Sequence, residues 1–206
     1  SRRDRHNHGG IMRTALIKRK TTETDIVLSL NMDGSGKHNI SSGSGFLDHM
    51  LQLLAVHGRL DLDIECKGDT HVDMHHSAED IGIALGDAIA EALGNKAGIR
   101  RYADITLPMD EALMLCAIDI SGRSYLNYDV VTFTDKVGEF DCELVKEFML
   151  AFVRRSGVTL HFKMLAGENS HHIIEAVFKS LGRVLREAAS LDMSLGGAIP
   201  SSKGVL

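Results

Sequence analysis

The sequence reads His-His-Ser-Ala-Glu at residues 75–79 and His-His-Ile-Ile-Glu at residues 171–175. Both stretches follow the pattern His-His-x-x-Glu. A single copy is more often a solvated helix start, whereas two matched copies indicate a shared chemical role. Imidazole and carboxylate groups together suit a divalent first-row metal ion. We therefore predict that both stretches begin helices that bind metal.

Helix geometry separates the two histidines of each copy. A residue four positions further along a helix returns to the same face, so the first histidine of each copy lies beside the glutamate of that copy. The second histidines, His76 and His172, lie about 100° further round the helix. We therefore expect the two histidines of one copy to serve two different ions.

The elements around the two motifs recur in the same order. An apolar segment with helical spacing is followed by a segment that alternates apolar and polar residues, and then by the motif and a long amphipathic helix. This repeated order predicts an α/β fold (an α+β sandwich) that arose by internal duplication. The predicted segments are residues 46–58, 60–66 and 77–93 in the first half and residues 140–153, 159–164 and 173–189 in the second.

Further strands are predicted around these segments. Alternation over residues 26–32 predicts a strand, residues 33–36 predict a turn, and residues 37–42 are expected to return antiparallel as a hairpin. Ser77 is the predicted N-cap of the first motif helix. Three strands are predicted in the second half, at residues 99–109, 112–120 and 125–133.

The helix that precedes each motif offers one more donor. Superposition of the two halves aligns His49 with Glu147. Each half would then supply three nitrogen or oxygen donors from its own two helices. His57 lies two turns after His49, and for this pair a buried core role and a ligand role are about equally plausible.

Composition excludes several classes of protein. With 206 residues, 44% hydrophobic and 25% charged, the chain fits one moderate domain or two small halves rather than a disordered protein. A formal charge of −5 offers no general attraction to nucleic acid or to an anionic membrane. No apolar run approaches the roughly 20 residues that span a bilayer, and three widely spaced cysteines predict a reducing, cytoplasmic location.

The two ends of the chain differ in character from the rest. Residues 1–11 resemble an expression-tag remnant, so we divide the chain into halves at residues 12–97 and 98–195 and a tail at residues 196–206. A short glycine-rich tail is normally a disordered end. Its Ser201, Ser202 and Lys203 nevertheless present the hydroxyl and ammonium groups that hold a phosphate.

Five segments together resemble the imidazoleglycerol-phosphate dehydratase family, and the resemblance extends over nearly the whole chain from Arg13 to Leu206. The segments are residues 45–51, 75–80, 121–123, 167–175 and 200–205. The resemblance implies two halves, each a four-stranded sheet with two helices packed on one face. It also implies a homo-oligomeric cage of twenty-four chains, with two Mn²⁺ ions per active site between subunits.

The resemblance also assigns residues by position. The implied metal ligands are His49, His75, His76, Glu79, Glu147, His171, His172 and Glu175. The implied substrate contacts are Glu23, His57, Arg101, Arg123, Lys179, Ser201, Ser202 and Lys203. Two positions depart from the motif: Glu147 replaces a histidine, and Met74 replaces an aspartate that would support the histidine pair.

The implied reaction removes water from an imidazole that carries a glycerol phosphate chain, and it leaves a ketone. Because no carbonyl activates the carbon-bound proton, we hypothesise that two metal ions hold the ring as an imidazolate that expels the hydroxyl. Glu23 would exchange protons with the glycerol carbons, although a strand glutamate is more commonly a plain surface residue. Two other readings remain: a two-metal phosphate-ester hydrolase and a non-catalytic metal-binding cage.

Overall fold

The computed structural model describes residues 12–68 and 74–206, so the predicted tag remnant lies outside the described residues. Four strands of the first half form one sheet in the order β1-β2-β4-β3. They are β1 (Thr14–Lys20), β2 (Thr24–Asn31), β3 (His38–Ser41) and β4 (Asp61–Gly68). The second half forms an equivalent sheet in the order β5-β6-β10-β7. Its strands are β5 (Tyr102–Met109), β6 (Ala112–Asp119), β7 (Tyr125–Asp129) and β10 (Thr159–Ala166).

Each half contributes two long helices. They are α1 (Gly45–Gly58), α2 (His75–Leu93), α3 (Glu143–Ser156) and α4 (Ser170–Ala189). A small hairpin of β8 (Lys136–Val137) and β9 (Phe140–Asp141) precedes α3, and a 3₁₀ turn (Met193–Leu195) follows α4. The matching order of strands and helices in the two halves confirms the predicted duplicated α/β fold.

The predicted return of residues 37–42 as an antiparallel hairpin is wrong. The hairpin that opens the fold is β1 with β2, whereas β3 pairs parallel to β4. Helix α1 connects β3 to β4, and a crossover of this kind brings the chain back in the same direction. Val27 and Leu28 show the alternation that the sequence predicted, because Leu28 is fully buried and Val27 is exposed.

Four predicted boundaries also shift. Helix α2 begins at His75 with Met74 as its N-cap and no side-chain cap, so Ser77 does not cap it. Strand β5 begins only at Tyr102, because Arg101 has a positive φ of 78°. Phe140 belongs to β9 instead of α3, and β7 ends at Asp129 rather than at residue 133.

The helices pack in pairs that cross between the halves. Helix α1 contacts α4, and α2 contacts α3, while α2 also covers the first sheet and α4 the second. Glycines allow this close approach: a Cβ on Gly182 would lie 2.9 Å from the Gly58 nitrogen, and one on Gly82 would lie 2.7 Å from the Phe148 carbonyl oxygen. The helices therefore lie between two sheets around one continuous hydrophobic core.

The cysteines and the helices of the described residues bear on redox state and on membrane insertion. The three cysteines, Cys66, Cys116 and Cys142, are all buried and free. Within the described ranges, no helix is both long and apolar enough to cross a membrane.

Candidate functional site

Three potential metal donors meet at the crossing of α1 and α4. His49 Nε2 lies 3.5 Å from Glu175 Oε1, and His171 Nε2 lies 3.5 Å from Glu175 Oε2. The three donor atoms of this group lie within 4.8 Å of one another. Glu175 is buried, whereas His49 is exposed and His171 is half-buried. We call these three residues the donor cluster.

The donor cluster joins the two halves of the chain. His49 lies on α1 of the first half, and His171 and Glu175 lie on α4 of the second. The expectation that each half supplies three donors from its own two helices is therefore wrong for His49. His49 meets donors of the other half because helix α1 packs across α4 rather than across α2.

The donor cluster fits a divalent metal ion. Two imidazole nitrogens and one carboxylate are the donor types that such ions prefer in proteins. A buried carboxylate also needs a positive partner, and the nearest cation is Lys179, whose Nζ lies 3.8 Å from Glu175 Oε1. The ring of Phe46 packs edge-on against His171, with centroids 5.3 Å apart, which holds that imidazole in place.

The first-half motif keeps its predicted spacing. His75 Nε2 lies 3.7 Å from Glu79 Oε2, as expected for residues four apart in a helix. Glu147 lies on α3, which packs against α2, and it lines a cleft with Thr132 and Glu143. Among the described residues, only the donor cluster brings three such groups within 4.8 Å.

His172 does not point into the donor cluster. Its Nδ1 hydrogen-bonds Glu111 Oε1, and its Nε2 lies 3.8 Å from Asp110 Oδ2. The hydrogen bond between them lowers the pKa of Glu111 to about 2 and raises the pKa of His172. His171 and His172 therefore face different surroundings, as the 100° helix offset predicts.

Glu23 lies in the turn between β1 and β2, close to His76. Hydrogen bonds from Thr22 and Thr21 lower the pKa of Glu23, and the nearby His76 lowers it further. Its carboxylate is exposed to solvent. The structure thus places the predicted acid–base residue beside the second histidine of the first motif.

The basic residues predicted to hold phosphate form two separate groups. In the first group, Arg101 Nε donates to Asp119 Oδ1 at 2.7 Å, and Arg101 Nη1 donates to the Pro200 carbonyl at 3.0 Å. Arg123 lies 3.9 Å from Asp119 and is largely exposed. The Arg101 contact with Pro200 holds the tail, so that Ser201, Ser202 and Lys203 follow directly from this anchor.

The second group lies at the other end of β5. Lys179 Nζ contacts Met109 Sδ at 3.2 Å. Burial lowers the pKa of His57, and the positive charges of Lys179 and Arg183 lower it further, so His57 belongs to this group. Arg101 adjoins Tyr102, the first residue of β5, and Met109 is the last residue, so the backbone positions of Tyr102 and Met109 are separated by roughly 23 Å. One phosphate does not span that distance.

A cleft of about 770 Å³ opens beside the donor cluster. Its walls are the start of α1 at Gly45 and Phe46, the β8–β9 hairpin with Lys136, and the imidazole of His171. Of the donor cluster, only His171 lines this cleft.

Sequence reasoning missed Glu111 and Arg183. Arg183 follows Lys179 by one helical turn, a spacing that alone marks only a charged face. Glu111 had a usable signal, because it immediately precedes β6 just as Glu23 immediately precedes β2. That correspondence becomes visible only when the strands, and not just the motifs, of the two halves are aligned.

The fold and the donor cluster define a class: an α/β protein of two equivalent halves with a histidine–carboxylate group suited to a divalent metal. Residues 42–185 match the family model described as imidazoleglycerol-phosphate dehydratase. The chain belongs to this family.

Individual relatives agree over most of the chain. The imidazoleglycerol-phosphate dehydratase of Methylorubrum extorquens is 56% identical over 195 residues, which cover 95% of this chain and 100% of the relative. The enzyme of Oceanobacillus iheyensis is also 56% identical with the same coverage. The crystal structure of the Staphylococcus aureus enzyme has a TM-score of 0.80 at 39% identity, covering 87% of this chain and 99% of the other. The Pyrococcus furiosus structure, in complex with (S)-C348, has a TM-score of 0.79 at 39% identity, covering 92% and 100%.

Proposed function

We propose that this protein is a hydro-lyase that converts imidazoleglycerol phosphate into imidazoleacetol phosphate and water, in the cytoplasm, as a step of histidine biosynthesis. The single observation that supports this most directly is the donor cluster, in a chain that belongs to the family of that name. Because no carbonyl activates the carbon-bound proton of this substrate, the reaction would need the imidazole ring to be activated, and the donor cluster is suited to hold a metal ion that does so.

Mn²⁺ is the proposed metal, with two ions per active site. The donor cluster of His49, His171 and Glu175 would hold one ion, and the second histidines would contribute to the other. The remaining proposed ligands are His75, His76, Glu79, Glu147 and His172. A bound divalent ion acts as a Lewis acid toward a ring nitrogen and favours loss of the ring N–H proton, which helps the ring release electrons.

Glu23 is the proposed acid–base residue. Its carboxylate is exposed and close to His76, and no described residue outside its own turn hydrogen-bonds to it. It is therefore free to take the carbon-bound proton of the glycerol chain and to return a proton as the hydroxyl leaves as water.

The phosphate would be held by Arg101, Arg123, Lys179 and the tail residues 201–203, with His57 beside Lys179. Arg101 adjoins the first residue of β5, and Lys179 contacts Met109 at the last residue of β5. Because the two ends of the strand are so far apart, we propose that these residues meet at one phosphate only when they come from two chains. This separation supports the proposal of active sites between subunits in a homo-oligomer, with the twenty-four-chain cage as the proposed assembly.

The deciding experiment is to load the full chain with Mn²⁺, add imidazoleglycerol phosphate and follow the appearance of ketone. We expect turnover that a chelator abolishes and that added Mn²⁺ restores. Release of inorganic phosphate without ketone would instead identify a phosphate-ester hydrolase. Many loosely held ions per chain without turnover would identify a metal-storage cage.

A further inference from the structure

The two oxygens of the Glu111 carboxylate have different partners. Oε1 hydrogen-bonds Nδ1 of His172. Oε2 accepts hydrogen bonds from the backbone N–H groups of Glu168 at 2.8 Å and Asn169 at 3.2 Å. One side chain in the β5–β6 turn thus connects the imidazole to the loop that precedes α4.

This arrangement determines which ring nitrogen of His172 is available. An ionised carboxylate only accepts hydrogen bonds, so Nδ1 of His172 carries the proton and donates it to Glu111. In the neutral imidazole the lone pair then resides on Nε2. Nε2 faces away from Glu111, with Asp110 Oδ2 3.8 Å away, and the side chain is 31% exposed.

Glu111 also contacts the loop that begins α4. Asn169 caps α4 by accepting a hydrogen bond from the backbone N–H of His172 at 3.1 Å. Glu111 therefore holds the ring of His172 from one side and the residue that caps its helix from another. The Glu111 contact directs Nε2 of His172 away from the donor cluster, whose nearest ring, His171, has its centroid 6.4 Å away.

The duplication shows that this contact is specific to the second half. Glu23 occupies the corresponding position before β2 and lies close to His76, the counterpart of His172. Yet the hydrogen bonds of the Glu23 carboxylate come from Thr21 and Thr22 in its own turn. Two equivalent carboxylates thus have different environments, and only Glu111 is held against the histidine.

We propose that Glu111 is a positioning residue for the second metal ion: it holds His172 with Nδ1 protonated and Nε2 directed toward an ion outside the donor cluster. This inference rests on the proposed metal-dependent function. Glu111 acts through His172 and does not touch the ion itself, in the way that carboxylates behind metal-binding histidines orient the ring.

The test is Glu111→Gln in the full chain, with Mn²⁺ titrated into metal-free protein by calorimetry. If the amide oxygen of Gln keeps the two backbone N–H groups, its NH₂ group faces Nδ1 and requires that nitrogen to accept. The ring proton then moves to Nε2 and blocks metal binding there. We expect Mn²⁺ affinity at one class of site to fall by roughly 10- to 100-fold, while the donor cluster keeps its affinity.

Two further variants identify the cause. Glu91→Gln removes the same charge from the exposed far end of α2 and should titrate like the wild type. Asn169→Ala removes the cap of α4 but leaves the Glu111–His172 contact, so it should lower the unfolding temperature and keep both classes of Mn²⁺ site.

The Mn²⁺ titrations of the wild type and the variants separate this inference from the proposed function. Unchanged Mn²⁺ binding in Glu111→Gln, in a wild type that binds two classes of ion, would overturn this inference and leave the proposed function standing. Loss of the same sites in Asn169→Ala would show that the loop and not the ring matters, which also overturns it. A wild type that binds no Mn²⁺ would overturn the proposed function and this inference together.

Discussion

At the scale of one residue, Glu175 carries a buried negative charge at the centre of the donor cluster. Its carboxylate is buried between His49 and His171, with Lys179 as the nearest full positive charge. Burial of a carboxylate is unfavourable unless positive groups compensate for it. A bound cation would supply that compensation, so metal affinity should depend strongly on this one charge.

Glu175→Gln keeps the size of the side chain and removes its charge. Since changes to residues behind metal ligands already reduce affinity 10- to 100-fold, we expect Mn²⁺ affinity at the donor cluster to fall by more than about 100-fold. Calorimetric titration measures the change, and circular dichroism checks that the fold is kept. Equal Mn²⁺ affinity in the variant and the wild type would contradict the proposed ligand role.

Glu23→Gln tests the acid–base role. We expect kcat to fall by roughly 10²- to 10⁴-fold, because an amide neither takes nor returns the proton, while Mn²⁺ binding stays unchanged. Steady-state kinetics with parallel Mn²⁺ titration separate the two effects. Full turnover with intact metal would remove Glu23 from the reaction.

At the scale of elements, the helix crossings depend on backbone contact. A Cβ on Gly182 of α4 would lie 2.9 Å from both the Gly58 nitrogen and the Leu54 carbonyl oxygen of α1. These are backbone atoms, so the helices themselves would have to move apart. Because His49 lies on α1 and Glu175 on α4, the same movement would widen the donor cluster.

Gly182→Ala should therefore destabilise the fold by about 1–3 kcal/mol, the usual cost of overpacking a well-packed core. Urea unfolding measures the difference. Gly45→Ala is the matched control, because a Cβ on this residue meets nothing within 4 Å and its φ is not positive. Equal unfolding midpoints for the two variants would show that the α1–α4 contact tolerates a methyl group.

The tail is a second element whose role is testable. Arg101 holds the Pro200 carbonyl, and Ala198 accepts a hydrogen bond from the Gly98 N–H at 2.8 Å, so residues 198–200 are fixed. Deletion of residues 201–206 leaves both anchors in place. We expect KM to rise strongly, since remote binding energy is lost, with the Mn²⁺ stoichiometry unchanged. An unchanged KM would exclude the tail from the substrate site.

At the scale of the whole molecule, Arg101 adjoins one end of β5 and Lys179 contacts Met109 at the other end, and this separation is the basis for the proposal of sites shared between chains. Pro200, at the start of the tail, contacts Arg101 beside the first residue of β5, whereas Lys179 contacts Met109, the last residue of β5. In the proposed homo-oligomer, the tail of one subunit would lie beside the Lys179 of another. The proposed function therefore predicts that an isolated chain lacks a complete site.

Co-expression of two defective chains tests this arrangement. Lys179→Ala and the 201–206 deletion should each be nearly inactive alone. In mixed oligomers some sites receive Lys179 from one chain and the tail from the other, so part of the activity should return. Oligomers whose mixed composition is verified by mass spectrometry but whose activity stays at the level of the single variants would contradict shared sites.

The sequence by itself was sufficient for the features that depend on local geometry. The spacing of His75 from Glu79, the difference in direction between His171 and His172, and the duplicated order of elements all follow from helix and strand periodicity. The apolar pattern of each helix or strand repeats within a few residues, so neighbouring residues are enough to specify each element and hence the order in which the elements recur.

Only the tertiary structure decided which distant elements meet. It joined His49 to Glu175 across the halves, made β3 parallel to β4, and placed Glu111 against His172. It also showed that the Lys179 and Arg101 groups lie at opposite ends of one strand. Periodicity tells which face of a helix is buried but not against which partner, because that choice depends on the packing of the whole core.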